Sequence, residues 1–467
     1  MPKNKIIFLS VGLSVLLLLI FGIYWLSTYS KSKSNYGGPK EFNIWVVRDE
    51  SAGYSDIITG FKAKYPEFNK TSIKVTKFSS YADYEKILIN VMGDGNSPDI
   101  FVVNNNGGTL LEQKVVALPD DIINVDNFSK KFNKVFDELI IENTEKDKEG
   151  TEKTVSYLKG IPTGYETLGV FYNWKLVKNI PATWSDLDEE IKNNGQKENY
   201  ATIGLGLGGK YVFSANDIFT LMLLQNKISN YRNLNQVTSI NSLGAYFSYV
   251  NDINNNILSL KSEMDQLNLT TVDLFVRGKI GMLIGYPSLL REIELAVKRT
   301  AGNSALDKKT LKSSELFQIT SGSGNSSDKN PNVNLVNYNY FAISKLSKNQ
   351  KMGYKFLSYL STKDAQKKYM KSFAFYLPAL KELEEERLDE NMDSNYERVK
   401  YKSFLTDGVE LQSFDKGLKN EYDYYFYNHL NDFDTQEKKN ILNNAIKFID
   451  CNKNHLINNS SFEEECK

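Results

Sequence analysis

The hydrophobic residues between positions 41 and 103 alternate between strand-like and helix-like spacing, and this alternation limits the fold more than any other feature. Glu41–Val47 has the apolar density of a buried strand, and apolar residues then recur at helical spacing from Tyr54 to Tyr65. A second strand and a second helix lead to a third apolar run at Ile100–Val103. Three strands and two helices within roughly sixty residues predict an α/β fold with parallel strand pairs.

The strand and helix signals resume after Gly160 and predict a second α/β unit. The strand-like runs Thr167–Asn173, Ala201–Leu205 and Ile280–Ile284 belong to it, and a further strand-like run, Tyr340–Ser344, follows after a polar loop. A chain of 467 residues with 41% hydrophobic residues is long and apolar enough to build two such units.

Local signals predict where several helices begin or end. Gly93 and Gly95 favour left-handed residues at the end of the second helix. Thr183 with Asp186 predicts a capped helix that begins at Trp184. Near the other end of the chain, Ser361 with Asp364 predicts the cap of a further helix.

The N-terminus carries an apolar run that is long enough to cross a bilayer. Ile6–Leu26 holds 21 residues without a charge, and Lys3 and Lys5 precede it. No small-residue cleavage site follows, so the sequence favours an uncleaved single-pass anchor in the cytoplasmic membrane over a removed signal peptide. Ser30–Lys40 then predicts a flexible tether.

Composition excludes several classes of site. Lys and Arg (57) balance Asp and Glu (57), so no global field favours nucleic acid. The two histidines, His429 and His455, and the two cysteines give little basis for a metal site or His-dependent catalysis. Cys451 and Cys466 form a disulfide if this part of the chain is exported, and otherwise remain two thiols.

Five stretches, in this order, resemble the extracellular solute-binding proteins of ABC importers, specifically the sugar-binding family that includes maltose-binding protein. They are "IWVVRDE", "GDGNSPDIFVV", "GIPTGYETLGVFYNWKLVKNIPATWSDL", "FVRGKIGMLIG" and "FAISKLSKNQKMGYKFLSYLSTKDAQKKY" followed by "LPAL". The similarity spans roughly residues 42–380 and leaves out the anchor and most of the last 85 residues.

This resemblance implies the two-lobed periplasmic-binding-protein fold (type II), with a hinge and a ligand held between the lobes. The expected division is a membrane anchor at 1–29, a tether at 30–40, lobe 1 at 41–155 plus 313–378, and lobe 2 at 156–312 plus 379–467 with C-terminal helices. A monomer outside the cytoplasm that delivers an oligosaccharide to a membrane permease is expected, with no enzymatic activity and no cofactor.

The glycine-rich run "GLGLGGK" at 204–210 raises the question of nucleotide binding. A phosphate loop needs Ser or Thr after its lysine, whereas Tyr211 follows Lys210. In the resembling family this run is the end of a strand that carries residues of the second lobe to the cleft. The sequence therefore does not predict a nucleotide site.

The resemblance also implies a set of ligand-binding residues at strand ends, where aromatic faces and paired hydrogen-bonding groups suit a sugar. They are Arg48, Asp49, Glu50, Asn104, Asn105, Asn106, Tyr165, Glu166, Lys210, Tyr211, Phe213, Tyr286 and Tyr338. Many sugar-binding relatives carry a Trp where this chain has Ser288, so the identity of the sugar stays open, as does sugar itself.

Other hypotheses remain for a chain of this kind. A polyamine or a peptide is an alternative solute for the same fold. An adhesin or an enzyme that reuses the fold is the alternative from another class, because a fold does not fix a function. No G-x-S-x-G or H-E-x-x-H motif supports the enzyme.

Overall fold

A computed structural model describes residues 38–47, 52–79, 81–106, 109–146, 151–194, 200–207, 212, 214–250, 255–300, 304–307, 309–314, 332–372, 375–387, 399–405, 409–430, 438–458 and 466. No helix within these ranges is long and apolar enough to cross a membrane. The predicted anchor, Ile6–Leu26, lies outside the described residues.

The strands of the described residues are numbered in chain order. They are β1 Glu41–Val47, β2 Ser72–Phe78, β3 Ile100–Asn104, β4 Ile140–Lys146, β5 Glu152–Leu158, β6 Ile161–Pro162, β7 Gly164–Thr167, β8 Gly169–Asn173, β9 Ala201–Ile203, β10 Ile280–Gly285, β11 Leu311–Ser314, β12 Asn332–Asn337, β13 Asn339–Ile343, β14 Leu377–Pro378 and β15 Val409–Gln412.

The α-helices of the same ranges are numbered in the same way. They are α1 Ala52–Lys64, α2 Tyr81–Gly93, α3 Thr109–Glu112, α4 Val125–Lys131, α5 Trp184–Asn194, α6 Ala215–Gln225, α7 Val237–Val250, α8 Asn255–Leu267, α9 Thr271–Val276, α10 Leu289–Arg299, α11 Gln350–Leu360, α12 Lys363–Ser372, α13 Lys381–Arg387, α14 Lys419–His429 and α15 Lys438–Asn458.

The first sheet is the α/β unit that the opening alternation predicts. Its order is β2-β1-β3-β13-β6, with β1 parallel to both β2 and β3. Every residue of β3 is buried, because β3 is the central strand of a mixed sheet, parallel to β1 and antiparallel to β13, and both faces of the sheet are covered. Two tyrosines of α2 tie this helix to β3: the hydroxyl of Tyr84 donates to the carbonyl of Val102 (2.7 Å), and that of Tyr81 accepts from the backbone N–H of Asn104 (2.8 Å).

The second sheet is the predicted second unit, with the order β11-β8-β10-β9. Helix α5 begins at Trp184 as predicted: the backbone N–H of Asp186 donates to the Thr183 hydroxyl (3.1 Å), and that of Thr183 donates to the Asp186 carboxylate (3.0 Å). Val170 and Met282 of this sheet pack with Leu221 of α6 in a second core, whereas Phe171 and Leu283 of the same strands lie in the core that contains the first sheet.

Two predicted element ends differ from the structure. The strand expected at Ala201–Leu205 stops at Ile203, and Gly204–Leu207 forms a 3₁₀ turn, because Gly204 lies close to the Thr271 and Leu283 side chains and the chain bends there. At the end of α2, Gly95 adopts the left-handed conformation (φ 76°), whereas Gly93 is the last helical residue.

The cap predicted at Ser361 is also misplaced. The backbone N–H of Ser361 donates to the carbonyl of Leu357 (3.0 Å), so Ser361 ends α11. The hydroxyl of Thr362 accepts from the backbone N–H of Ala365 (3.4 Å) at the start of α12. The polar residue nearest to the first helical turn therefore supplies the cap.

A third sheet, β14-β7-β12-β15, connects the other two. Only Thr163 separates β6 of the first sheet from β7, and only Tyr338 separates β12 from β13 of the first sheet. At its other end, β7 is followed by Leu168 and then by β8 of the second sheet. The chain therefore passes between the first and second sheets through β7, and it returns to the first sheet through β12.

The C-terminal residues pack on the second unit and are closed by a disulfide. The buried Tyr422 and Phe426 of α14 and the buried Leu442 and Ile449 of α15 lie in the same core as α6. Cys451 and Cys466 are disulfide-bonded, which confirms the pairing expected of an exported tail.

Candidate ligand-binding site

Polar residues from the first and third sheets meet where β3 ends. The side-chain amide of Asn104 donates to the Oδ1 atoms of Asn337 (2.8 Å) and Asn339 (3.1 Å). Asn337 lies directly opposite Glu166 in the antiparallel pair of β12 and β7. Paired residues of neighbouring strands share a face of the sheet, so Asn337 and Glu166 lie on one face, which we call the amide face.

Glu166 connects the amide face to the second sheet. Glu166 is only 6% exposed, and its carboxylate accepts a hydrogen bond from the backbone N–H of Ser288 (3.1 Å), just before α10.

Tyr286 lies next to Glu166 and is also buried. Burial, with the nearby carboxylates of Asp217 and Glu166, raises the pKa of Tyr286 well above its ordinary value. Its hydroxyl makes no hydrogen bond of ordinary geometry to the residues that the structure describes. The carboxylate of Asp217 faces this hydroxyl, and a water or a polar ligand atom that bonds to it with better geometry would lower the free energy.

A buried lysine, Lys416, lies beside the carboxylate of Asp217. The ammonium of Lys416 is 2.6 Å from Asp217 at the start of α6 and 2.8 Å from Asp423 on α14, and its side chain is fully buried. Burial lowers the pKa of Lys416, but the carboxylates of Asp217 and Asp423 outweigh this effect and hold the pKa above its ordinary value. Lys419 adds a second cation 2.7 Å from Asp423.

The three predicted asparagines come together but bond mainly to the protein. The side-chain amide of Asn106 donates to the carbonyl of Val336 (3.0 Å), and its Oδ1 accepts from the backbone N–H of Phe414 (3.0 Å). Asn105 donates to the hydroxyl of Ser413 (2.7 Å). These bonds make Asn104, Asn105 and Asn106 a frame between β3, β12 and the segment after β15, and ligand contact by them stays a prediction.

Two predicted tyrosines lie away from the amide face. Tyr165 precedes Glu166 on β7 and so points to the opposite face, where its hydroxyl donates to Glu384. The hydroxyl of Tyr338 donates to Glu138, and the ring of Phe136 lies between the two tyrosines, with centroids 5.7 Å from Tyr165 and 4.8 Å from Tyr338.

A cavity of about 1520 Å³ lies on this opposite face. Tyr165, Glu138 and Glu384 are among the residues that line it, and desolvation by burial raises the pKa values of both carboxyl groups. The predicted residues are therefore divided between two faces of the third sheet.

The remaining predicted residues lie outside the described ranges, so the structure says nothing about their position. They are Arg48, Asp49, Glu50, Lys210, Tyr211 and Phe213. Within the described ranges, no group of three or more His, Cys, Asp or Glu side chains is placed to hold a metal ion.

Four residues near Glu166 escaped the sequence analysis. Asn337 is not among the predicted ligand-binding residues. Asp217, Lys416 and Asp423 carry no motif, and the two partners of the Lys416–Asp217 pair are 199 positions apart. Only the fold brings these charges together.

The chain matches the sequence profile of bacterial extracellular solute-binding proteins over residues 57–397. The chain belongs to this family. Family membership confirms the resemblance, implies a location outside the cytoplasm, and makes the protein a binding protein rather than an enzyme. No curated protein sequence matches the chain.

Solved structures of binding proteins share the fold. A cyclo/maltodextrin-binding protein complexed with maltotetraose is 15% identical (TM-score 0.57), with 89% of this chain and 98% of that chain covered. An ABC substrate-binding protein of Listeria monocytogenes in complex with cycloalternan is 18% identical (TM-score 0.57; 90% and 99% covered). The GacH receptor of Streptomyces glaucescens, solved unliganded and with acarbose, is 15% identical (TM-score 0.56; 91% and 100% covered).

Proposed function

We propose that this solute-binding protein is the receptor of an ABC importer, that it binds a carbohydrate of oligosaccharide size between two lobes, and that it delivers this cargo to a membrane permease. The observation that carries the proposal is the position of Glu166. This carboxylate belongs to the connecting sheet, contacts the second unit through Ser288, and lies beside the buried hydroxyl of Tyr286. Carboxylates and hydroxyls in a buried site suit the hydroxyl groups of a sugar.

The proposed movement is a rotation of two lobes about the third sheet. We take lobe 1 as the unit of the first sheet and lobe 2 as the unit of the second sheet, following the division predicted from the sequence. The chain crosses between the first and third sheets at two single residues, Thr163 between β6 and β7 and Tyr338 between β12 and β13. Few residues need to change conformation for such a rotation.

Arg48, Asp49, Glu50, Lys210, Tyr211 and Phe213 remain proposed ligand contacts, together with Glu166 and Tyr286. Asn104, Asn105 and Asn106 are proposed to orient this site through their amide bonds. No cofactor is proposed, and the receptor is proposed to act as a monomer.

The test of cargo class is a calorimetric titration of the chain from residue 30 onward. Maltotetraose, cycloalternan and acarbose are titrated beside spermidine and a tetrapeptide. Saturable heat with one of the saccharides supports the proposal. Saturation by spermidine or the peptide alone would move the protein to another solute class, and no saturation by any of the five would favour an adhesin.

Glu166→Gln should weaken saccharide binding tenfold to a hundredfold, or about 1.5–3 kcal/mol. The amide still accepts from the backbone of Ser288, but it loses the charge that strengthens hydrogen bonds to hydroxyl groups. Calorimetry with the best saccharide measures the change, and Glu189→Gln, at an exposed position of α5, is the matched control. Equal affinities for wild type and Glu166→Gln would remove Glu166 from the site.

The proposal also includes the N-terminal membrane anchor, which needs a separate test. Ile6–Leu26 should remain attached to the mature protein, because 21 uncharged residues lack a cleavage signal. Mass spectrometry of the N-terminal peptide from native membranes should recover residues upstream of 30. A mature chain that begins near residue 30 would instead show a cleaved signal peptide.

A further inference from the structure

Helix α2 of lobe 1 contacts helix α14 of lobe 2 through one buried carboxyl group. The side-chain amide of Asn420 donates to Oε2 of Glu85 (2.6 Å) and reaches the carbonyl of Tyr81 (3.5 Å). Glu85 is only 3% exposed. Since α14 packs on α6 and α15, this contact joins two different cores.

Both sides of this contact are held in place within their own lobes. On the side of lobe 1, the Tyr81 and Tyr84 hydroxyls bond to the backbone of β3, so Glu85 is carried on a fixed helix. On the side of lobe 2, Lys419 and Asp423 of α14 pair with each other, and Lys416 binds Asp423. A rotation of the lobes would therefore separate Glu85 from Asn420 rather than bend either helix.

Two of the three charged side chains around Glu85 are carboxylates, which disfavour its ionised form. Glu421 and Asp423 of α14 face it, and Lys419 is the opposing cation; Tyr84 is its neighbour on α2. The backbone N–H of Asn420, in the first turn of α14, faces the carboxyl group and favours its ionised form, as Lys419 does, but burial and Glu421 outweigh both. Leu418, the residue before α14, gives no side-chain cap of its own.

We propose that Glu85 and Asn420 form a latch between the two lobes, which holds them together while Glu85 is protonated and releases them when Glu85 ionises. The proposal rests on the lobe closure of the proposed function. It adds a regulator, the pH outside the cytoplasm, which acts on closure at a place distinct from Glu166.

The protonation equilibrium of Glu85 supports this direction. Burial, and then the neighbouring Glu421, raise the pKa of Glu85 from an ordinary value of 4.5 to about 8 in the closed arrangement. An opened latch returns the carboxyl to water and to its ordinary pKa. Closing therefore takes up a proton between about pH 4.5 and pH 8, is most favourable below this window, and weakens up to about tenfold per pH unit as pH rises through it.

The test measures the distance between the lobes without ligand. Spin labels are attached at Ala63→Cys on α1 and Glu189→Cys on α5, both at exposed positions, with the disulfide left intact. Double electron–electron resonance is recorded from pH 6 to pH 9. The ratio of closed to open molecules should fall by about fiftyfold between pH 6 and pH 8 in the wild type.

Two variants connect the effect to the latch. Glu85→Gln keeps the shape and an acceptor for Asn420 but cannot ionise, so its distance distribution should not change with pH. Asn420→Asp places a second carboxyl group against Glu85 and should favour the open form at pH 7. Thermal unfolding at pH 6 confirms that each variant is folded.

The outcomes separate the latch from the proposed function. If the wild type shows no pH dependence, or Glu85→Gln shows the same dependence, the latch is wrong. If the distance also fails to change at any pH with the saccharide (maltotetraose, cycloalternan or acarbose) that saturates the protein in calorimetry, lobe closure itself is wrong. If maltotetraose shortens the distance while pH has no effect, only the latch is rejected.

Discussion

Replacing Lys416 with methionine should lower the free energy of unfolding by about 3–5 kcal/mol, the typical cost of removing one partner from a buried ion pair. The ammonium lies 2.6 Å from Asp217 and 2.8 Å from Asp423, and its side chain is fully buried. Methionine fills a similar volume but leaves the two carboxylates without their shared cation. The carboxylates of Asp217 and Asp423 then remain charged in a poorly hydrated site without the cation that compensates for their burial, and this lowers the stability of the folded protein.

Lys419→Met is the matched control for this prediction. Lys419 also contacts Asp423 (2.7 Å), but its side chain is 14% exposed, and Lys416 still neutralises Asp423 when Lys419 is lost. We expect a loss of about 1 kcal/mol for this variant. Urea denaturation of both variants at pH 7 measures the difference, and equal losses would show that Lys416 is not the central charge.

The same network predicts how stability changes in acid. Burial opposes ionisation of Asp423, but Lys416 and Lys419 outweigh it and lower its pKa from 3.8 to about 2. A carboxyl group whose pKa falls on folding stabilises the protein above its unfolded pKa, and this contribution is lost as pH falls towards the folded value. Urea denaturation between pH 5 and pH 2 should therefore show a smaller acid loss in Lys416→Met than in the wild type.

The sheets could be predicted from the sequence because each buried strand leaves a local pattern. Ile100–Val103 is apolar at every position, since both faces of its sheet are covered, and the structure buries all four residues. Helix starts such as Trp184 were predictable for the same reason: Thr183 and Asp186 are three positions apart, and the cap needs no distant partner.

The site could be predicted only in part, because it depends on contacts between distant residues. Lys416, Asp217 and Asp423 carry no periodic signal, and nothing near Lys416 in the sequence reveals that its side chain is buried. The alternation of side chains along a strand, however, already argues against one pair of predicted ligand-binding residues. Tyr165 and Glu166 are adjacent on a strand, so they point to opposite faces and cannot both face the same ligand.

Replacing Asn106 tests whether the frame formed by Asn104, Asn105 and Asn106 stabilises the fold or contacts the ligand. Asn106→Ala should lower the free energy of unfolding by about 2–4 kcal/mol, because a buried group loses its hydrogen bonds and leaves a small cavity. Asn106 is 1% exposed, and its Oδ1 is the acceptor for the backbone N–H of Phe414. Alanine leaves that N–H unpaired, whereas the carbonyl of Val336 keeps its bond from Asn105 (3.1 Å).

Asn90→Ala, at an exposed position of α2, is the control and should change the free energy of unfolding by less than about 0.5 kcal/mol. Urea denaturation without ligand measures both variants, and calorimetry with the best saccharide measures binding. A structural Asn106 loses stability in the absence of any ligand, since its partners are all protein atoms. An Asn106→Ala variant with wild-type stability and weaker binding would reverse this assignment, because the side chain would then contribute only when a sugar is present.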